Sequence, residues 1–388
     1  MADPPAARAR TRTLLEEWDE LLGRYRRAPA WVRLAVTGVA VAAAASVPFI
    51  LPYLSAQPKY YTGILVKIGI AALLALGLNV VVGFAGLLDL GYVAFFAVGA
   101  YTYAVLSGAA KYSVALSAQQ DVSQLHPEWH MYFWLFFFLA IGVAMTAGVV
   151  LGAPTLRLRG DYLAIVTLGF GEIVRITANN LDSLANGPRG VLEIPNPQID
   201  VGSVHYAFAI DNNPYYWLLL GIIVIWLFFL RRLNDSRVGR AWAAIREDEL
   251  AAASMGVPTI RMKLWAFAIG AAVASLGGVI YASWVSFINP DTFSLFNISF
   301  GSVTILAMVV LGGMGGLAGP IVGAGLIIFL PERFRSLGDA RFLVFGMVLV
   351  LVMVLRPQGL LPSRRRAAEL KGGVRDETLY EVKGHQET

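Results

Sequence analysis

The stretch from Leu264 to Pro331 contains a single charged residue, Asp291. A membrane-spanning helix needs about 20 predominantly apolar residues, so this stretch is long enough for more than one crossing of a bilayer. The whole chain follows the same trend, because 57% of its 388 residues are hydrophobic and only 15% are charged. Soluble domains carry about 25% charged residues. The sequence therefore predicts an all-α, polytopic integral membrane helical bundle and argues against a soluble globular enzyme.

Apolar blocks divide the chain, and we predict about 10 transmembrane segments, within a range of about 8 to 11. The blocks are 34–54, 61–82, 91–107, 131–153, 162–177, 215–230, 264–286, 297–311, 317–331 and 342–355. They form one transmembrane domain, 34–355, between the tails 1–33 and 356–388. Apolar residues at helical spacing make the first tail either an amphipathic helix on the membrane surface or a loosely ordered segment.

The distribution of basic residues predicts the orientation of the chain. If both termini are cytoplasmic, the internal segments carry 23 Lys and Arg residues and the external ones carry 6. The positive-inside rule requires this asymmetry. We therefore expect a multi-pass protein of the bacterial cytoplasmic (inner) membrane, with both termini inside and the loops 108–130 and 178–214 outside.

Two glycine-rich stretches, 83–91 and 312–320, interrupt or join apolar blocks. Non-helical backbone at membrane depth survives only where it is buried in protein or lines a cavity, and interrupted helices often mark a transport site. Alternatively, both stretches are tight turns at the cytoplasmic surface, where glycine permits positive φ.

Four ionisable residues lie inside the apolar blocks or their interruptions: Lys67, Asp89, Glu172 and Arg175. Such residues are costly in a membrane and are functional candidates. Glu172 and Arg175 are three residues apart, which predicts an ion pair on one helix face. Lys67 is expected to extend towards the membrane surface, and backbone N–H groups of the glycine-rich stretch to satisfy Asp89.

Several chemistries are absent from the sequence. It contains no cysteine, and no lysine follows a glycine, so the Gly-Lys-[Ser/Thr] core of a nucleotide-binding P-loop is missing. We expect no metal site, no catalytic residues, no cofactor bound by this chain and no nucleic-acid partner. The sequence predicts a conduit for solutes rather than an enzyme.

The cytoplasmic segment 231–263 is rich in strong helix formers from Ala241 to Met255. We predict one helix of about four turns, ended by Gly256 and Pro258. The pattern alone fits equally a helix that docks on another protein and a solvated connector.

Five runs of sequence resemble signatures of the LivM-type permease family, whose members are membrane subunits of bacterial branched-chain amino-acid ABC importers. They are 77–91, 156–175, 239–256, 310–315 and 356–362. The resemblance covers about 60–362. The tail 1–33, the loop 108–130 and the C-terminal tail depart from it.

The resemblance implies a permease that imports leucine, isoleucine and valine by alternating access. It also implies its partners: a second, LivH-like permease subunit, two cytoplasmic LivG/LivF-like ATPase subunits that use ATP, and an extracytoplasmic solute-binding protein, with lipid around the bundle. The loop 231–263 would hold the helix that couples to an ATPase, with these residues: Gly239, Arg240, Arg246, Glu247, Asp248, Glu249, Met255 and Gly256. Same-fold permeases for urea, short amides or other amino acids, and a self-powered secondary transporter, are the alternatives.

We place the substrate path beside the glycine interruptions, because exposed backbone and a few polar side chains suit a zwitterion without adding net charge. The residues of this predicted path are Asn79, Gly83, Gly86, Asp89, Thr167, Gly169 and Gly171. The alternative is that the small residues only allow helices to approach one another closely.

Overall fold

A computed structural model of the chain describes residues 30–54, 57–118, 133–155, 161–201, 204–208, 211–335, 338, 340–355 and 359–361. The expected amphipathic helix near the N-terminus and most of the C-terminal tail lie outside the described residues, as does 119–130 of the predicted external loop. Each predicted apolar block contains a helix, which confirms the all-α membrane class.

The described helices follow one another closely along the chain. Those of the N-terminal half are α1 (Ala30–Leu54), α2 (Pro58–Leu78, continued by the π-helix Asn79–Phe84), α3 (Val93–Leu106), α4 (Ala109–Ser117), α5 (Phe133–Thr155), α6 (Asp161–Asn180) and α7 (Asp182–Ala185). Those of the C-terminal half are α8 (Asn212–Asn234), α9 (Arg237–Glu247), α10 (Glu249–Ser254), α11 (Thr259–Val285), α12 (Ser302–Gly312), α13 (Ala318–Arg333) and α14 (Ala340–Leu355).

Short strands connect some of these helices. They are β1 (Val191–Leu192), β2 (Gln198–Val201), β3 (Val204–Ala207) and β4 (Phe287–Ile288), with 3₁₀ turns at Gly187–Arg189 and Pro290–Phe293. β2 and β3 form an antiparallel hairpin. β1 pairs with β4 in the register Val191 with Ile288, so the segment after α6 is joined to the end of α11.

Four described helices are each long and apolar enough to cross a membrane: Pro58–Phe84, Phe133–Thr155, Asn212–Asn234 and Thr259–Val285. The pair α3 and α4 would make a fifth span that is bent by 77° at Ser107–Gly108. Helix α4 therefore occupies part of the predicted loop 108–130. The chain is a multi-pass membrane protein, and the number of ten spans stays a prediction.

Helix α1 belongs to a compact unit that ends at Pro58, separate from the unit that contains the rest of the chain. It contains Pro48 and Pro52 within its helical bounds. Val39, Phe49 and Tyr53 are exposed along it, as expected for an apolar helix surrounded by lipid.

The core of the second unit is built around α2 and α11, which are apolar on all sides and buried over most of their length. Such helices belong to the interior of a bundle. Helix α11 packs closely on α3, because Gly99 has no side chain: a Cβ there would lie 2.5 Å from Cα of Ser275. Helices α5 and α8 instead expose large apolar side chains such as Phe138 and Ile225, as lipid-facing helices do.

The connecting segments gather at two ends of this unit. At one end, the Ser113 hydroxyl accepts the N–H of Leu192 at 2.9 Å, and the Tyr103 hydroxyl donates to the carbonyl of Pro195 at 2.7 Å. At the other end, the first glycine-rich stretch contacts the segment 237–256 through Gly83 and Arg246, and the second stretch is bonded to Asn79 beside it. The described parts of the two expected external loops, 108–130 and 178–214, therefore contact one another, and which end faces the cytoplasm stays a prediction.

Candidate functional site

The first glycine-rich stretch begins where α2 changes to a π-helix over Asn79–Phe84. The backbone then leaves the helix, and Gly86 adopts the left-handed region at φ 72° that glycine permits. The N–H of Leu87 reaches back to the carbonyl of Val81 at 3.0 Å. π-Helical turns often occur at functional sites, and hydrophobic periodicity gives no signal for one.

Asn79 joins the two glycine-rich stretches. Its side-chain Nδ2 donates to the carbonyl of Gly316 at 2.8 Å, and its Oδ1 accepts the N–H of Gly315 at 2.9 Å. The side chain is fully buried. Gly83 lies directly beside this contact, because a Cβ there would overlap Oδ1 of Asn79. The predicted path residues Asn79 and Gly83 therefore lie at the contact between the two glycine-rich stretches, which are far apart in sequence.

The second glycine-rich stretch is a turn between α12 and α13, with positive φ at Gly313 and Gly315. The segment Gly359–Leu361 completes it, because the N–H groups of Leu360 and Leu361 donate to the carbonyls of Leu311 and Gly312, each at 2.8 Å. Three of the runs that resemble the permease family are thus in contact at one place.

Asp89 and Thr167 hold the end of the first stretch. Thr167 Oγ1 accepts the N–H of Leu90 at 3.0 Å, and Asp89 Oδ1 accepts the N–H of Gly91 at 2.9 Å. The expected backbone donor for Asp89 is therefore present. Its second oxygen, Oδ2, is buried and has no hydrogen-bond partner among the described residues. Asp89, Thr155 and Thr167 also line a cavity of about 10 Å³, which has room for about one water molecule.

Helix α6 crosses the first stretch at very short range. A Cβ on Gly91 would lie 1.9 Å from the carbonyl oxygen of Thr167, and one on Gly171 would approach Leu295 and Gly91. Gly169 does not share this surface, since no atom lies within 4 Å of its Cβ position. Of the predicted path residues on α6, Thr167 and Gly171 therefore share one packed face and Gly169 lies off it, because residues four apart share a helix face and residues two apart do not.

The predicted single helix from Ala241 to Met255 was also wrong, because the helix breaks at Asp248. Helix α9 ends at Glu247, Asp248 adopts an extended conformation, and its side chain accepts the N–H groups of Leu250 and Ala251 as the N-cap of α10. Aspartate is among the best N-cap residues, so the signal for this break was present in the sequence. We call Arg237–Gly256 the coupling segment.

Three side chains fasten the coupling segment to the bundle. Trp242 is fully buried and donates through Nε1 to the carbonyl of Met262 at 2.7 Å. Arg246 donates through Nη1 to the carbonyl of Gly83 at 2.8 Å. Glu249 pairs with Lys263 at 2.5 Å, and the Lys263 side chain is only 5% exposed. Arg246 and Glu249 therefore lie on different helices, α9 and α10, because the break at Asp248 separates them.

The remaining predicted coupling residues differ in exposure. Gly239 is buried against the end of α8, and Arg240 donates to the nearby carbonyl of Asp235. An exposed set comprises Glu247, Asp248, Leu250, Met255 and Gly256, of which Asp248 and Leu250 also line a cleft towards the first glycine-rich stretch. Leu250 is 62% exposed and Met255 is 86% exposed. We call Glu247, Asp248, Leu250 and Met255 the exposed patch.

A cleft of about 360 Å³ lies between parts of the coupling segment and of the first glycine-rich stretch. Its walls include Gly86, Leu88, Arg246, Leu250 and Lys263. A Cβ on Gly86 would lie 2.7 Å from Cγ of Arg246, so the two segments are in direct contact at the floor of this cleft.

The Glu172–Arg175 ion pair that the spacing predicted is present and lies away from this region. Nε of Arg175 donates to Glu172 at 2.9 Å, and its Nη1 reaches Asp291 at 3.2 Å. Lys67 is half-buried. Among the described residues, no cluster of three or more acidic or histidine side chains could hold a metal ion.

Residues 60–355 match the family described as the branched-chain amino acid transport system / permease component. The chain belongs to this family. It is 40% identical over 322 residues to the high-affinity branched-chain amino acid transport system permease protein LivM of Salmonella typhimurium, which covers 78% of this chain and 70% of the relative. The LivM protein of Escherichia coli is 40% identical over 323 residues, with the same coverage.

A more distant relative is the permease protein LivH of Salmonella typhimurium, which is 27% identical over 304 residues, or 75% of this chain and 90% of LivH. No solved structure matches the chain. The matched residues include both glycine-rich stretches and the coupling segment, and they end just before Gly359–Leu361.

Sequence reasoning missed the residues that hold this region together. Trp242, Lys263 and the backbone of Gly315 and Gly316 act through contacts with distant parts of the chain. The signals for the first two were a large aromatic residue in the middle of the polar segment 237–247 and a lysine near the start of the apolar helix α11. Nothing local in the sequence indicates which backbone groups Asn79 binds.

Proposed function

We propose that this chain is a membrane subunit of an ATP-driven importer for leucine, isoleucine and valine. Support comes from its membership of the permease family and from the 40% identity to proteins named as branched-chain amino acid permeases. The exposed patch carries the proposal further. Leu250 and Met255 are exposed beside acidic side chains on a segment that three contacts hold in place, which gives a partner protein a fixed surface to bind.

The energy source is proposed to be two separate cytoplasmic ATPase subunits. The chain contains no Gly-Lys-[Ser/Thr] sequence, so a P-loop would have to be supplied by partners. Leu250 and Met255 would fill apolar hollows on an ATPase, while Glu247 and Asp248 would face its basic side chains. Methionine suits such a surface because its flexible side chain adapts to irregular gaps.

The remaining partners are a LivH-like second permease and an external solute-binding protein. The similarity to LivH, at 27% identity, supports two related subunits that enclose a path between them. Substrate would be delivered on the outer side and released inside by alternating access. Under this proposal, the end of the protein that carries the coupling segment faces the cytoplasm.

The test is transport by the assembled importer. The chain is purified from its native membranes together with its bound subunits, and mass spectrometry identifies these subunits. The complex is then reconstituted into proteoliposomes with its binding protein. We expect the vesicles to transport radiolabelled leucine only when ATP is present on the side of the membrane where the ATPase subunits lie. Unlabelled isoleucine and valine should compete with it, while urea, acetamide and lysine should not.

Two variants separate this function from its alternatives. Leu250→Asp places a charge in the exposed patch and should release the ATPases, while Phe138→Ala on the outward face of α5 should retain them. Uptake of leucine by a preparation that contains no ATPase would instead identify a self-powered transporter. Competition by urea or acetamide, but not by valine, would reassign the substrate within the same fold.

A further inference from the structure

The charged side chain of Arg246 joins the coupling segment to the first glycine-rich stretch. Nη1 of Arg246 lies 2.8 Å from the carbonyl oxygen of Gly83, at the end of the π-helix. The last carbonyls of a helix lack intrahelical donors, so this oxygen is free to accept from a side chain. A charged donor makes a stronger hydrogen bond than a neutral one.

The aliphatic part of Arg246 adds a second contact. It packs on Gly86, where a Cβ would lie 2.7 Å from Cγ of Arg246. Gly86 also holds the positive φ of 72° at which the chain turns away from the helix. Arg246 therefore contacts the first glycine-rich stretch at two positions: it donates a hydrogen bond to Gly83, and its aliphatic part packs on Gly86.

The contact continues from Gly83 to the second stretch. Gly83 lies against the side chain of Asn79, and Asn79 is bonded to the backbone of Gly315 and Gly316. The two stretches also pack directly on each other, since a Cβ on Gly83 would lie 2.7 Å from the backbone nitrogen of Gly315. A movement of Arg246 would therefore displace Gly83 first, and through Asn79 the turn between α12 and α13.

We infer that Arg246 is the positioning residue through which the coupling segment moves the two glycine-rich stretches. The inference rests on the proposed function, since only an ATPase bound to the exposed patch would move this segment. Arg246 itself is half-buried and faces the bundle, in contrast to exposed Glu247 next to it. Its role is therefore to transmit movement rather than to bind the ATPase.

The test measures how many leucine molecules are imported for each ATP that is hydrolysed. Arg246→Ala should keep the ATPases bound and active but lower this ratio roughly tenfold, since the hydrogen bond from a charged donor is lost. Arg246→Lys keeps a donor and should recover part of the ratio. Arg232→Ala is the matched control, because Arg232 lies on α8, is exposed and contacts only the ring of Phe228.

A second measurement reports movement of the first stretch directly. The chain has no cysteine, so Leu88→Cys on the wall of the cleft can be labelled specifically. Its labelling rate should differ between the nucleotide-free complex and the complex trapped with ATP and vanadate. Arg246→Ala should remove this difference while leaving the nucleotide response of a label at Ala253→Cys on the coupling segment.

The outcomes separate the two proposals. If the wild-type complex neither hydrolyses ATP nor imports leucine, the proposed function fails and this inference fails with it. If the wild type is active and Arg246→Ala retains the wild-type ratio and the labelling response at position 88, only the inference is overturned. Loss of the ATPases from the Arg246→Ala complex would also overturn it, because Arg246 would then act in docking.

Discussion

The side chain of Asn79 binds the backbone of Gly315 across 236 positions of sequence, with its Oδ1 2.9 Å from the glycine nitrogen. Its Nδ2 donates a second hydrogen bond, to the carbonyl oxygen of Gly316. A buried backbone donor and acceptor left without partners cost about 1–3 kcal/mol each. The geometry thus gives Asn79 a structural role beside the role in the substrate path that the sequence suggested.

Asn79→Leu should therefore lower the stability of the purified protein, since it keeps the size of the side chain and removes both hydrogen bonds. Because Gly315 and Gly316 are half-buried, we expect the free energy of unfolding to fall by about 1–3 kcal/mol. Denaturant titration in detergent measures this loss. Asn180→Leu is the control, because Asn180 is exposed and bonds only to its own helix. Wild-type stability together with full leucine uptake in Asn79→Leu would remove Asn79 from both roles.

The sequence predicted the helices well because long apolar blocks leave the chain few other structures in a membrane. It also located both glycine-rich interruptions, since glycine clusters mark places where the helix cannot continue. It failed at Asp248, where helix-forming neighbours concealed a capping residue. The contacts of Asn79 and Lys263 could not be predicted, because they depend on which distant segments the fold brings together.

Close packing predicts opposite effects for two glycines. Gly91→Ala would place a methyl group 1.9 Å from the carbonyl of Thr167, so α6 must move away from the first stretch. Overpacking of this kind costs about 1–3 kcal/mol or more. Gly169→Ala meets no atom within 4 Å and should be neutral or stabilising, because alanine favours a helix by about 1 kcal/mol over glycine.

Thermal unfolding of both variants in detergent measures this contrast. If Gly91→Ala unfolds at the wild-type temperature, the short approach of α6 to the first stretch does not hold in the protein. A stable Gly169→Ala variant with reduced leucine uptake would retain Gly169 as a residue of the substrate path, independently of its packing.

The grouping of segments at two ends predicts which side chains are accessible from each side of the membrane. Lys111 on α4 and Ala253 on α10 are both exposed and lie at opposite ends. In spheroplasts, a cysteine at Lys111 should react with a membrane-impermeant maleimide. A cysteine at Ala253 should react only after permeabilisation, as the positive-inside rule requires. The reverse pattern would invert the orientation without altering the fold.

The partly buried ion pair of Glu249 and Lys263 predicts that one substitution lowers the stability and that a second substitution restores it. Glu249→Gln leaves the ammonium group of Lys263, only 5% exposed, without its counter-charge. Removal of one partner from a fully buried pair costs about 3–5 kcal/mol, and we expect a smaller loss here because the Glu249 side chain is 29% exposed. Adding Lys263→Met removes the uncompensated charge and fills a similar volume, so the double variant should regain most of this stability. Denaturant titration of the wild type, both single variants and the double variant gives the coupling energy between the two positions.

If the double variant is no more stable than Glu249→Gln alone, the pair does not hold the coupling segment on α11. In that case Trp242 and Arg246 would be its principal attachments to the bundle.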